Sequence, residues 1–234
     1  MLIQQFLEFL FGQRLWEILS DSFWKILLPG LTVTIPLTAI AFSLAMVIAV
    51  AVALVQFARV PVASQLCRFY IWVARGTPLL VQLFVVFFGL PRVGIRIDPF
   101  PAAVIVFSLN EGAYCAEIVR AALESVPSGQ LEAGACAGMS YLQTMRRIIL
   151  PQAMRTAFPS LSNSLIAMVK DTSLASNITV AEMFMAARTI VAATWEPLAL
   201  YIEVGLIYLL FSTVLTWLQR VGERKLSVYG NQEG

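Results

Sequence analysis

EAGACAGMSYLQTMRRIILPQA, residues 132–153, interrupts a chain that is otherwise mostly apolar. Its local signals divide it into two short helices. Pro127, Ser128 and Gly129 open the first, and Gly138 stands where a left-handed residue would close it. Ser140 and Gln143 have the spacing of a capping box that opens the second. Pro151 is expected to end that second helix, because proline disfavours helical backbone before it. Ala133, Gly134, Ala135, Ala137 and Gly138 carry so little bulk that another backbone could approach closely. Glu132, in the first turn, suits the positive end of the helix dipole. A stiff helix between two turns could sit in the groove of a partner. A re-entrant loop or a plain linker fits the same residues.

The surroundings decide where such a device would lie. The 234 residues are 59% hydrophobic and 13% charged, with mean hydropathy +0.80. A soluble domain carries about 25% charge, so this composition describes an all-α polytopic membrane protein. The net charge of +2 is too small and too dispersed to imply nucleic acid. Cys67, Cys115 and Cys136 are far apart, and there is no histidine to join them in a metal site. The missing histidine also removes the commonest general base. No catalytic residue, metal or cofactor is expected. A cleavable signal peptide is not expected either, since Glu8, Arg14, Glu17 and Asp21 interrupt the first apolar residues. Leu2, Phe6, Phe9, Leu10, Leu15, Ile18 and Leu19 instead suggest an amphipathic helix over 1–24, lying on the membrane surface; a frayed terminus fits the same residues.

A membrane helix needs about 20 mostly apolar residues. No charge occurs between Lys25 and Arg59, which places the first span there, with a start that Pro29, Gly30 and Pro36 make bent or interfacial. Further apolar stretches run over 67–90, 102–123, 157–169 and 197–218, giving five spans in a domain over 25–226, a polar loop over 125–150 and a tail over 227–234. Five spans put the termini on opposite sides. With the amino terminus outside, ten basic residues fall inside and six outside, the orientation that the positive-inside tendency favours. The 132–153 stretch is then cytoplasmic.

Several polar groups fall inside the apolar stretches. Glu117 can pair with Arg120 one turn on; Glu111, beside Asn110, is open between helix-to-helix hydrogen bonding and a role in a pathway. In ARGTPLLVQL (74–83), Gly76, Thr77 and Pro78 suggest a helix start or a kink, with Arg75 reaching the interface. Gln82 either joins two helices or contacts a substrate. Ser164, Ala167 and Asp171 recur at helical spacing and form one stripe. That stripe could line a cavity accepting an ammonium group, or simply end at the interface with Lys170 and Asp171 solvated.

The stretch EAGACAGMSYLQTMRRIILP resembles the EAA loop of permease subunits in ATP-binding-cassette importers, whose pattern is E-A-A, three residues, G, nine residues, I-x-L-P. Glu132, Ala133, Gly138, Ile148, Leu150 and Pro151 fall on it in register, and Gly134 replaces the second alanine. That replacement is expected to soften the helix, since glycine costs about 1 kcal/mol against alanine. RGTPLLVQLF, FGLP, AYCAEIVRAAL, GQLEAG, LPQAMR and VKDTSL are similar to the polar amino-acid branch of that family, and GIRIDPFPAA, SLNEGAY and LSNSLIAMVKDTSL look most like its cystine-type members.

The resemblance implies a type I permease bundle of five membrane helices with a cytoplasmic coupling helix, in a bacterial cytoplasmic membrane surrounded by lipid. It implies two cytoplasmic ATP-binding subunits that carry out hydrolysis, a second permease subunit, and an extracytoplasmic solute-binding protein. Glu132, Ala133, Gly134 and Gly138 would couple to the ATPase. Gln82, Ser164, Ala167 and Asp171 would contact a polar amino acid, Asp171 taking its ammonium group or tuning the gate. The serine at 164, where permeases for basic amino acids can carry an acid, argues against arginine or lysine. A different class of transporter, driven by ions through intramembrane carboxylates, would be expected to show internal repeats, and none is visible.

Overall fold

The computed structural model describes residues 12–228, which are helical with no strand among them. The helices are α1 Gln13–Phe57, α2 Pro61–Gly76, α3 Leu79–Val93, α4 Pro99–Ser125, α5 Gly129–Cys136, α6 over 141–171, α7 Met183–Thr194 and α8 Pro197–Val228. By length and apolarity α1, α4 and most of α8 can cross a membrane. The pair α2 and α3, bent by 104° at its break, adds a fourth crossing if it is one span. The remaining expected stretch lies within α6. Its last segment, Leu150–Asp171, has 22 residues, about 33 Å of helix, but one side of it is polar.

The centre of the bundle is the packing of α1 against α4, its most extensive helix contact. Ala41, Ala45, Ala49 and Ala53 of α1 are fully buried, as are Ala102, Ala103, Ala113 and Ala116 of α4. Within a bilayer, lipid tails are as apolar as leucine, so helices associate through close contact, and small residues allow their backbones to approach. A second cluster joins Ile26 of α1 to Val169, Met183, Ala187, Val204 and Phe211 of α6, α7 and α8.

Among the described residues three π segments interrupt the helices: Gly30–Thr34 in α1, Val85–Gly89 in α3 and Met145–Ile149 in α6. Each is followed after one residue by a proline: Pro36, Pro91 and Pro151. A proline has no N–H to donate, and its ring collides with the carbonyl four residues earlier. Widening the preceding turn by one residue moves that carbonyl aside and forgoes a bond the proline could not make. Thus Leu150 N–H bonds to Met145 O and the helix continues. This corrects one expectation: Pro151 does not end the second helix of the loop. At Pro29 and Gly30, too, the helix runs on, from Gln13 to Phe57. The part of the 1–24 helix before Gly12 lies outside the described residues.

α7 was not expected from the apolar stretches. Its start is held by Glu182, whose fully buried carboxylate accepts from Phe184 N–H at 2.8 Å, Met185 N–H at 2.7 Å and the Tyr208 hydroxyl at 2.9 Å. The signal was an acidic N-cap before an apolar run.

Candidate functional site

The break between α2 and α3 borders a polar recess. Thr77 precedes a proline, which pushes it to extended backbone (φ −121°, ψ 144°), and Pro78 follows at φ −62°, ψ 135°. Two extended residues turn the chain sharply and leave carbonyls at the end of α2 without helical donors. Side chains replace them. Gln82 Nε2 donates to Ala74 O at 2.8 Å, Thr77 O at 3.1 Å and Thr77 Oγ1 at 2.8 Å. Asn110 Nδ2 donates to Ala74 O at 3.0 Å and to Gln82 Oε1 at 3.2 Å.

In front of this braced wall lies a cleft of about 570 Å³ between α2, α4 and α6, lined by Arg75, Asn110, Glu111, Ser164, Ala167 and Asp171 among others. The structure therefore brings Ser164, Ala167 and Asp171 together, as their spacing implied. Gln82 is not among the lining residues; it stands behind the wall with its amide engaged. Arg75, Asn110 and Glu111 join the lining instead. Their signal was polarity within apolar stretches; Arg75 lies in the last turn of α2, beside the break that borders the cleft.

The recess continues along α6. Arg75, Tyr114 and Ser164 also line a neighbouring cleft of about 520 Å³, together with Glu117, Arg120, Thr156 and Ser160. Glu117 and Arg120 in turn line a third of about 810 Å³, with Arg59 and Arg68. Thr156, Ser160, Ser164, Ala167 and Asp171 follow one another at steps of three or four, so a single stripe of small and polar residues borders the first two clefts.

The charges along this track form a ladder. Arg120 donates from Nε and Nη2 to the two oxygens of Glu117, each at 3.1 Å, and from Nη1 to Glu124 at 2.9 and 2.8 Å. The pairing of Glu117 with Arg120 agrees with their spacing. Arg75 stands 3.6 Å from Glu117 and lies over the ring of Tyr114, 5.1 Å from its centroid. Among the described residues, Glu111 and Asp171 enter no ion pair, and no group of three or more cysteine or acidic side chains could hold a metal.

At the far end of the molecule, α5 begins at Gly129 and closes at Gly138, whose φ of +74° is the left-handed conformation expected there. Ser140 and Gln143 make both bonds of the capping box. Glu132 and Ala133 are exposed, whereas Gly134 is buried. A Cβ at Gly134 would lie 2.5 Å from both Cγ2 and Oγ1 of Thr144. The expected softening thus has a packing reason: α5 lies so close to the start of α6 that an alanine does not fit. α6 then runs unbroken from this contact to the stripe ending at Asp171.

The sequence pattern described as a binding-protein-dependent transport system inner membrane component matches residues 45–228. The chain is 46% identical to the L-cystine transport system permease protein TcyB of Bacillus subtilis over 215 residues, 92% of each chain. It is 38% identical to TcyL, an L-cystine transport system permease protein of the same organism, over 85% of this chain and 87% of the other. Among solved structures, it is similar to the crystal structure of an amino acid ABC transporter with histidines, at TM-score 0.79 and 34% identity, covering 86% of this chain and 94% of that one.

Proposed function

The chain belongs to the family of binding-protein-dependent transport system inner membrane components, and from that premise we propose that it is the permease subunit of an ATP-driven importer for a polar amino acid, with L-cystine the preferred candidate. The observation that carries this reading is the cleft itself, which is lined by a cation and two carboxylates beside a broken helix. An amino acid is a zwitterion, and such a site complements both of its charges. The 46% identity to TcyB favours cystine within the class.

In this reading Ser164, Ala167 and Asp171 form the floor of the site, Asp171 receiving the ammonium group. Gln82 acts by holding the wall behind it. Glu132 and Ala133 sit in a groove of a cytoplasmic ATPase, with Gly134 and Gly138 setting the helix that presents them. Two ATP-binding subunits, a second permease subunit and an extracytoplasmic binding protein complete the assembly, and ATP hydrolysis belongs to the ATP-binding subunits. The amino terminus lies outside and the carboxyl terminus inside. Movement of the ATPase pair reaches α5 and passes along α6 to the stripe. The cleft then alternates between two states that differ in substrate affinity.

The test is uptake of L-cystine into proteoliposomes holding the permease, its ATPase and its binding protein. ATP-dependent uptake that Asp171→Ala lowers at least about tenfold, with assembly intact, is expected; losing an anchoring charge of this kind costs on the order of 1.5–3 kcal/mol. Uptake driven by a proton gradient without the ATPase would overturn the reading.

A further inference from the structure

We propose that Arg75 is the residue of the cleft that receives the substrate's α-carboxylate, and that it leaves Glu117 to do so. The inference rests on the importer reading above and deepens it. It starts from the position of Arg75 at the end of α2, where the guanidinium borders both the cleft with Asp171 and the next one toward Glu117. A group at such a junction can turn either way.

The ladder makes one turn cheap. Glu117 is held by Arg120 through two hydrogen bonds of 3.1 Å, whereas Arg75 approaches it only to 3.6 Å, and no hydrogen bond joins them. When Arg75 departs, Glu117 keeps its stronger partner, so no carboxylate is left unpaired. The Arg75 side chain is 42% exposed and thus has room to move. Its guanidinium lies over the ring of Tyr114, and among the described residues none of its N–H groups donates a hydrogen bond. Those donors have the fork geometry that matches a carboxylate with two parallel bonds.

The other charges of the cleft supply the complement. Glu111 and Asp171 lie on α4 and α6, and among the described residues neither forms a salt bridge. A zwitterion oriented with its ammonium toward these acids presents its carboxylate to the opposite side, and Arg75 is the cation lining that side. Binding would therefore draw Arg75 away from Glu117. Occupancy of the cleft would then be felt at the ladder, between the site and the mouth near Arg59 and Arg68.

The experiment uses the intact permease–ATPase complex in detergent, titrated by calorimetry with L-cystine and with L-cystine dimethyl ester, whose carboxylates are masked. Arg75→Gln is expected to weaken L-cystine binding at least about tenfold, as loss of a charge-assisted bidentate contact does. Arg75→Lys, which keeps the charge and loses the fork, should fall between. The ester should bind wild type weakly and lose nothing further in Arg75→Gln. Glu117→Gln removes the competing acceptor and should tighten L-cystine binding about two- to fivefold. Co-purification with the ATPase checks that each variant is folded. Unchanged L-cystine binding in Arg75→Gln overturns the proposal, as does an equal loss for the ester, which would mark Arg75 as a purely structural residue. Unchanged or weaker binding in Glu117→Gln overturns the competition between the two acceptors. Wild-type uptake under ATP is measured alongside with L-cystine and the standard amino acids. If none is taken up, the importer reading fails and the inference with it. If another amino acid is taken up, it and its methyl ester replace the cystine pair.

Discussion

Two X-Pro steps in this chain meet the same steric problem and solve it in opposite ways. At Thr77-Pro78 the helix stops, two residues become extended, and the chain turns by 104°. At Leu150-Pro151 the helix widens into a π segment and runs on to Asp171. The proline is common to both, so it does not decide. What differs is what satisfies the backbone. At the break, Gln82 and Asn110 take over the carbonyls of Ala74 and Thr77. At the passage, a residue inserted into the turn keeps the helix's own bonds going. The first solution makes a cleft wall; the second keeps a rod that joins α5 to that cleft.

The largest expected effect comes from removing the side chains that sustain the break. Gln82→Leu leaves Ala74 O with one side-chain donor and removes the side-chain amide that donates to Thr77 O. Adding Asn110→Leu strips the remaining donor. A buried acceptor left without a partner costs about 1–3 kcal/mol, and a lost hydrogen bond at an exposed one about 0.5–1.5 kcal/mol. Ala74 is buried and Thr77 exposed, so the double variant should lose on the order of 2–4 kcal/mol, measured as the shift of its thermal transition in detergent, and the single variant about half of that. A double variant as stable as wild type would mean that the break holds itself, and the contrast with Pro151 would lose its cause.

Next in size is the joint between α5 and α6. Gly134→Ala places a methyl 2.5 Å from Thr144, and overpacking of this kind costs about 1–3 kcal/mol. Thr144→Ala removes both contacting atoms at the loss of one hydrogen bond to Ser140 O at 3.2 Å. The pair should therefore be more stable than the sum of the two single changes, a coupling read from a double-mutant cycle. ATPase co-purification should follow the same order. Additive behaviour would show that Gly134 has room, and the joint would not be the rigid start of the rod.

These contacts also mark what the sequence could disclose. Gly138, Ser140 and Gln143 were legible because each acts on backbone within a few residues. The apolar stretches and the Ser164–Asp171 stripe were legible through period alone. The passage through Pro151 was not, because whether a turn widens depends on what the following helix packs against. Arg75 could not be assigned to the cleft, since that depends on where the end of α2 packs against α4 and α6, which no local pattern states. Gly134 looked like a loss when compared with alanine; its reason, Thr144, lies ten positions on in the sequence.

The smallest effect tests the passage itself. Pro159 lies within ordinary helix further along α6 with no π segment before it, so the widening at 145–149 is an accommodation to Pro151 and its surroundings rather than a fixed consequence of proline. Pro151→Ala restores an N–H and removes the ring. If the π segment serves only to avoid the clash, the turn should tighten toward α-helix. That gain is offset by a shift in register, since removing one residue from the turn rotates everything beyond it by about 100°. Ser164, Ala167 and Asp171 would then leave the cleft, and their packing resists this. The expected result is a persistent π segment, slower hydrogen exchange at 149–151 from the added bond, and a change in stability within about 1 kcal/mol. Collapse of the segment, seen as loss of uptake with stability unchanged or raised, would show that the proline, and not the packing of α6 against α4, keeps the stripe facing the substrate.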